Sequence, residues 1–388
     1  MQKKVVKVTS PLIPPLDKLT PLLEKIWASR QLTNDGGMLR RLKFELSLFL
    51  GVGNISLYAN GTLPLMAALR SLVNTRRGGE VVTTPFSFVA TSHAVSWLGL
   101  TPRFVDVDPA TGCMDPVAAE NALSDRTVAI LPVHVYGNIC DTKAFAAISA
   151  KYGLPLIYDA AHAFGETVDG MSALAFGDVS TLSFHATKTF STLEGGAAVC
   201  RDSNLLAMMN LQRNFGYNGE TTVLLDGFNA KMDEVRAAYG LASLPLFEPA
   251  RLRRKEVHDA YRVAFRDIPG LRMMDPQPGV RYNYGYFPLF IEEDFPLSRD
   301  ALYEKLKEDN IFGRRYFYPL ISDFPTYSNL APRPSSLAPV SSLVPCPLSL
   351  TNAKRLSATV ICLPIHHEMS DSDISRVIDS ILCAARKS

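Results

Sequence analysis

A chain of 388 residues, 47% hydrophobic and 20% charged, has an ordinary soluble composition and length enough for a large domain plus a smaller one. Its 40 basic and 38 acidic residues leave a formal charge of +2 with no long run of one sign, which argues against a polyanion-binding stripe and so against nucleic acid as a partner. No stretch of about 18 uncharged apolar residues offers a membrane span, and the opening MQKKVVKVTS lacks the apolar core of a signal peptide.

The six cysteines, at 113, 140, 200, 346, 362 and 383, form no Cys-x-x-Cys pair and no Cys/His cluster with zinc spacing. They read as reduced thiols of a cytoplasmic protein, with no metal site.

In chain order, apolar residues at helical spacing (Leu19, Leu22, Leu23, Ile26) predict a helix after Pro15. A polar break at Thr33–Gly37 precedes a second helix ending near Ser47. From Asn54 short apolar strands alternate with helices. The strands are expected at Ile55–Tyr58, Glu80–Thr83, Thr101–Val107, Val128–Val133, Leu154–Tyr158, Val179–Phe184 and Gly196–Cys200, with helices such as Leu63–Leu72 and Thr142–Tyr152 between them. This alternation predicts an α/β layer fold on a mainly parallel sheet. The last two strands have a loop and no helix between them, so one of them is expected to run antiparallel. After Pro245 the character changes: basic helices (Arg251–Phe265, Arg299–Asn310) flank a strand at Tyr284–Ile291, then come a Pro/Ser-rich loop (Ala331–Ser349) and a terminal helix (Ser370–Ala385). The expected division is a large domain at 1–245 and a smaller α+β domain at 246–388.

Four strand ends carry chemistry. In VSTLSFHATKTFSTLEGG a strand ends at Phe184, and Lys188 follows among small and hydroxyl residues. Sites in open α/β sheets form at the carboxyl ends of strands, where a desolvated lysine becomes an amine nucleophile. Taken alone, Lys188 would read as a solvated loop lysine, but Ser183, Thr187 and the Glu194-Gly195-Gly196 turn shift the balance. In LPLIYDAAHAFG, Asp159 closes a strand 29 residues before Lys188. A carboxylate there suits a pyridinium nitrogen; the blander reading is a helix cap. His162 suits either a cofactor ring or the core. Gly61-Thr62 at a helix start suits a phosphate, and equally a routine cap. In TPFSFVAT, Phe88 or Phe86 could stack on an aromatic ring, and either could be plain core.

Together and in this order, these segments resemble the DegT/DnrJ/EryC1/StrS family of nucleotide-sugar aminotransferases. The resemblance runs from SPLIP and LTNDG through ANGT, TPFSFVAT, FVDVDP, PVHVYG, YDAAHAFG, SFHATK and EGG. It continues to GFNAKMDEVRAAYGL and CLPIHHEMSDSDI. It implies the fold-type I architecture of pyridoxal 5'-phosphate (PLP) enzymes: a mainly parallel mixed sheet in a large domain, and a smaller C-terminal α+β domain. Lys188 would form the Schiff base with PLP and then shuttle protons, while Asp159 pairs with the ring nitrogen and Phe88 stacks on the ring. Gly61, Thr62 and Ser183 would hold the phosphate. His162 stands where most of the family has Gln, near the ring oxygen. Asn229 would reach the phosphate of a neighbouring subunit, which implies a homodimer with shared sites. His134, Glu194, Tyr316 and Tyr318 are the candidates for the sugar-nucleotide side.

The resemblance further implies L-glutamate as donor, pyridoxamine 5'-phosphate between half-reactions, and a nucleotide-linked keto-sugar as acceptor. The SFHATK form is similar to members that aminate the 4-keto carbon of dTDP-4-keto-6-deoxyhexoses. The alternatives are a 3-keto sugar, a UDP- or GDP-sugar, and, more remotely, a non-catalytic PLP-binding regulator. A dehydratase of this family would have histidine in place of Lys188, and a nicotinamide enzyme would need a strand–Gly-x-Gly-x-x-Gly–helix unit. The product would suit a surface polysaccharide or a glycosylated natural product.

Overall fold

The strands that precede Gly61, Phe88, His162 and Lys188 all end at one edge of one sheet. The computed structural model describes residues 4–74, 78–328 and 349–386. The predicted Pro/Ser-rich loop, apart from Ser349, and Cys346 lie outside the described residues.

Two helices, α1 (Leu16–Ser29) and α2 (Gly37–Leu50), precede the sheet. Its strands are β1 (Ile55–Tyr58), β2 (Glu80–Thr83), β3 (Thr101–Phe104), β4 (Thr127–Leu131), β5 (Ile157–Asp159), β6 (Val179–Ser183) and β7 (Gly196–Cys200). One ladder runs β1-β7-β6-β5 and another β3-β2-β4. Parallel bridges from Ile130 to Leu156 and from Val133 to Asp159 join them edge to edge. The order is therefore β1-β7-β6-β5-β4-β2-β3. Only β7 runs against the rest, paired antiparallel to β1 and to β6. A parallel return would need a crossover unit over the sheet face, and the segment after β6 contains no helix, so the chain doubles back beside it.

Helices cover both faces, which explains why the interior strands are apolar on both sides. One face packs α2 and α8 (Glu234–Ser243) through Leu42, Leu46, Ala237 and a ring cluster of Phe164, Phe184, Phe190 and Phe247. The other packs α3 (Thr62–Leu72), α4 (Ala90–Ser96) and α7 (Ser203–Arg213) through Leu65, Leu69, Ala94 and Met209. After the short α5 (Pro116–Asn121), helix α6 (Thr142–Tyr152) has sharp ends: Asp141 accepts from the Ala144 N–H at 2.9 Å, and Gly153 closes the helix at φ +64°.

The C-terminal part builds a second, antiparallel sheet of β8 (Leu271–Met273), β9 (Pro288–Ile291) and β10 (Val360–Cys362), in the order β8-β9-β10. Helix α11 (Thr351–Thr359) leads into β10, and the core joins helices α9 (Phe247–Phe265), α10 (Arg299–Glu308) and α12 (Asp371–Ala385) through Val257, Leu302, Val377 and Ile381. Val6 packs into this cluster and pairs with Ile311, although it precedes the first 245 residues' sheet in sequence. Some expected strands are shorter than predicted: Thr101–Val107 becomes Thr101–Phe104, and Tyr284–Ile291 becomes Pro288–Ile291. Tyr284 turns at φ +56°, and the residues before β9 leave the small sheet to pack against the large one. Among the described residues no helix is long and apolar enough to cross a membrane. Cys113, Cys140, Cys200 and Cys362 are buried free thiols, and Cys383 is an exposed one.

Candidate active site

A cavity of about 450 Å³ opens at the carboxyl ends of β1, β2, β5 and β6. The register brings them together. Gly196 of β7 pairs with Tyr58 on one side and Ser183 on the other, so the turns after those two residues lie side by side. Only glycine fits at 196, where a Cβ would stand 2.4 Å from the Asn60 carbonyl oxygen.

Lys188 lines this cavity. Its stem is half-buried, and enclosure of the amine lowers its pKa to about 8, with Asp159 pulling the other way. Nζ donates to the hydroxyl of Tyr286 at 3.2 Å.

Asp159, at the tip of β5, is 5% exposed. Its Oδ2 accepts from Thr91 Oγ1 at 2.7 Å, and its Oδ1 from the Ala161 N–H at 3.1 Å. Burial raises its pKa; the Thr91 and Ala161 bonds and the charge of Lys188 oppose that rise.

Gly61, Thr62 and Ser183 converge at another part of the wall. A Cβ on Gly61 would come 2.7 Å from Cβ of Ser183, so the glycine keeps the two turns in contact. The Asn60 side chain accepts from the N–H groups of Thr62 (3.0 Å) and Leu63 (3.1 Å). The expected free N–H groups of this helix start are thus partly used internally, which leaves the Thr62 and Ser183 hydroxyls as prominent donors here.

The two phenylalanines of TPFSFVAT separate cleanly. Phe86 is fully buried in the core, whereas Phe88 is 61% exposed and lines the cavity. His162 is buried in the wall; its ring lies 4.7 Å from that of Tyr286 and stacks on Phe317 at 5.7 Å. Burial, then the charge of Lys188, push its pKa well below the usual histidine value. Its Nδ1 accepts from the Tyr136 N–H at 3.2 Å, so the neutral ring is assigned its proton on Nε2.

Glu194 and Tyr316 also line the cavity, with Glu194 3.6 Å from Nε2 of His185. Two expected residues are not there. His134 is fully buried, stacks on Tyr158 at 4.8 Å, and accepts from the Cys140 N–H through Nδ1. It follows β4 but is packed inward, and burial lowers its pKa to about 3. Tyr318 points elsewhere because Arg299 and Arg315 hold its ring at 4.2 and 5.3 Å. Asn229 is exposed and away from this chain's own cavity, bridged to Asn214.

Three contributors escaped the sequence reading: Thr91, Tyr286 and Arg314. Thr91 stood within TPFSFVAT, where a hydroxyl one helical turn beyond Phe88 was a usable signal. Tyr286 and Arg314 come from the C-terminal part, and no local pattern links them to a strand end 100 residues or so earlier. Arg314 is an exposed cation on the cavity lining.

Comparison with known proteins gives a consistent picture. A profile of the DegT/DnrJ/EryC1/StrS aminotransferase family matches residues 17–382. A dTDP-4-amino-4,6-dideoxy-D-glucose transaminase of Shigella dysenteriae is 45% identical over 379 residues, covering 98% of this chain and 99% of that protein. One of the same name from Escherichia coli is 38% identical over 383 residues, covering 98% and 99%. Among solved structures, that of DesI in the presence of its TDP-sugar product matches with a TM-score of 0.88 at 34% identity, over 99% of this chain and 94% of the other.

Proposed function

The chain belongs to the DegT/DnrJ/EryC1/StrS aminotransferase family, and on that premise we propose that it transfers the amino group of L-glutamate to the 4-keto carbon of dTDP-4-keto-6-deoxy-D-glucose. It is a PLP-dependent aminotransferase. The observation that carries the chemistry is one cavity holding a buried amine with lowered pKa and a buried, hydrogen-bonded carboxylate. The choice of sugar is supported by the relatives at 45% and 38% identity and by the names they carry.

The residues present fit PLP. Lys188 offers the amine that would bond covalently to its aldehyde. Asp159 offers a carboxylate whose raised pKa a cationic ring nitrogen would bring back down. Gly61, Thr62 and Ser183 form the tight turn pair that suits a phosphate, Phe88 offers a ring face, and neutral His162 offers an Nε2–H to a ring oxygen. Bound PLP supplies an electrophilic carbon and a ring that takes up electrons.

The chain's own part is positioning and proton transfer. With its pKa near 8, a useful fraction of Lys188 is a free amine at neutral pH. Nζ takes the proton from Cα of glutamate and later returns one to C4 of the sugar. Asp159 would hold a proton on the ring nitrogen of the bound cofactor. Thr91 and Ala161 aim that carboxylate and favour its ionised form against burial. Arg314, at the lining, suits the negative charge of a nucleoside diphosphate.

The same reading makes residues 1–245 the cofactor-binding domain and 246–388 the smaller one, with Tyr286, Arg314 and Tyr316 as the latter's contribution. It makes the enzyme a cytoplasmic homodimer. Leu16, Trp27, Leu193, Val223 and Leu224 are 45–76% exposed, so a second subunit could cover apolar surface here, and Asn229 is exposed and away from its own cavity. The test is a pair of half-reactions on purified enzyme. L-Glutamate should convert the visible band of the lysine-bound cofactor to a near-ultraviolet one, and the dTDP-4-keto sugar should restore it. No change with glutamate would overturn the proposal and point to a PLP-binding regulator.

A further inference from the structure

One wall of the cavity comes from the segment that leaves the small sheet, and its key group is Tyr286. The phenolic oxygen accepts from Nζ of Lys188 at 3.2 Å, and Nζ lies 5.8 Å from the ring centroid. Burial pushes this phenol well above its ordinary pKa, so it is neutral at any working pH.

Asn283 holds that segment in place. It is fully buried, and each of its polar groups is engaged. Its N–H donates to Oε1 of Glu166 at 3.1 Å, and Nδ2 donates to the carbonyls of His162 (2.7 Å) and Phe164 (3.1 Å). Oδ1 accepts from the Gly285 N–H at 2.8 Å, and the main-chain carbonyl accepts from Nε of Arg254 at 2.9 Å. The segment is therefore latched to the turn that follows Asp159. Gly285 then passes the lysine loop so closely that a Cβ there would stand 2.8 Å from Cγ2 of Thr189. These two anchored contacts fix the backbone of Tyr286, and the rings of His162, Tyr136 and Tyr316 pack on its side chain at 4.7, 5.6 and 5.8 Å.

We propose that Tyr286 is a catalytic residue, the partner that holds the Lys188 amine whenever that amine is not covalently engaged, and that Asn283 is the positioning residue that sets it there. This rests on the reading of Lys188 as the cofactor-bonding lysine. A released lysine has four rotatable side-chain bonds, and one directional contact at the tip removes most of that freedom before each proton transfer. The groups facing the amine are Asp159 from β5, His162 from the turn after it and Tyr286; His185, Glu194 and Arg314 also line the cavity. Asp159 favours the ammonium, and His162 is neutral. The phenol oxygen accepts from the ammonium, so its removal disfavours the charged form and moves the amine's titration to lower pH.

The test uses cofactor-free protein and a readout that needs no turnover. Acetic anhydride labels neutral amines, and mass spectrometry of the Lys188 peptide across pH gives a midpoint. Wild type should be half-labelled near pH 8. Tyr286→Phe, which keeps the ring, should move the midpoint down by about one unit, a tenfold change in proton affinity. In the loaded enzyme the same variant should slow removal of the glutamate α-proton about 10- to 100-fold with half-saturating glutamate unchanged. Asn283→Ala should shift the midpoint the same way, and the double variant no further than Tyr286→Phe alone. Asn283→Asp, which loses the Nδ2 donors but keeps the size, serves the same cycle if Asn283→Ala does not fold. An unmoved midpoint in Tyr286→Phe overturns the catalytic role, and full additivity overturns the positioning role. Failure of the Lys188 reading looks different: a Lys188→Ala protein that still carries the covalent visible band overturns that reading and this proposal together.

Discussion

Oγ1 of Thr91 donates to Oδ2 of Asp159 at 2.7 Å, tying the start of α4 to the tip of β5. With the Ala161 N–H on the other oxygen, the carboxylate is aimed, and both bonds oppose the rise in pKa that burial causes. A buried carboxylate costs the empty protein stability, and its use appears only when a cation sits opposite.

That tension predicts opposite effects of Asp159→Asn on stability and on catalysis. Burial raises the folded pKa above the unfolded value, so the folded state binds the proton more tightly. Asp159's contribution to stability therefore declines as pH rises from about 4, the ordinary carboxylate range, through the folded pKa. Cofactor-free Asp159→Asn should melt higher than wild type at pH 8, with the difference closing toward pH 4. The loaded variant should keep its cofactor and lose at least about 100-fold in kcat. Calorimetry across pH with steady-state kinetics checks both; a lower Tm at pH 8 with wild-type kcat contradicts the account.

Lys188 sets the pH at which the protein captures its cofactor. Only the neutral amine attacks an aldehyde, and burial holds this one near pH 8. The rate of visible-band growth on adding PLP to cofactor-free enzyme should rise through pH 8 and level off by about pH 9, whereas a solvated lysine would still be gaining near pH 10. Lys188→Ala should show no band and no turnover. A rate still climbing at pH 10 would mean the amine is not enclosed.

The two phenylalanines of TPFSFVAT should respond in opposite ways. Phe86 is core, so Phe86→Ala should cost about 3–5 kcal/mol of stability. Phe88 faces the cavity, so Phe88→Ala should stay within about 0.5 kcal/mol of wild type while weakening PLP binding. Denaturant melts and fluorescence titration with PLP separate the two; equal losses of stability would refute the division of labour.

This pair also shows where the sequence was legible. Strand positions and the turns after them follow from apolar runs broken by small and hydroxyl residues, and Lys188, Asp159, Gly61, Thr62 and Ser183 all fall at such breaks. The antiparallel β7 follows from the missing helix before it. The side on which a residue points does not follow from local pattern, so Phe86 and Phe88 stayed interchangeable and His134 was placed at a site it packs away from. Contacts made across the fold were invisible: Tyr318 is held by two arginines, and Tyr286 meets Lys188 from a segment that Asn283 ties to a turn far earlier in the chain.

Asn229 should matter to a neighbour's cavity and not to its own. Asn229→Ala and Lys188→Ala homodimers should each be nearly inactive. Refolding the two together should restore activity, because a mixed dimer holds one site with both groups intact. Purified mixtures without recovery, or a fully active Asn229→Ala enzyme, would exclude the shared site.

The most direct test of the central claim follows the nitrogen. Enzyme, PLP, ¹⁵N-labelled L-glutamate and dTDP-4-keto-6-deoxy-D-glucose are incubated, and the sugar nucleotide is isolated for mass spectrometry and NMR. The account predicts dTDP-4-amino-4,6-dideoxy-D-glucose with the label on C4 and 2-oxoglutarate in equal amount. An unaminated sugar, or label at C3, would contradict it.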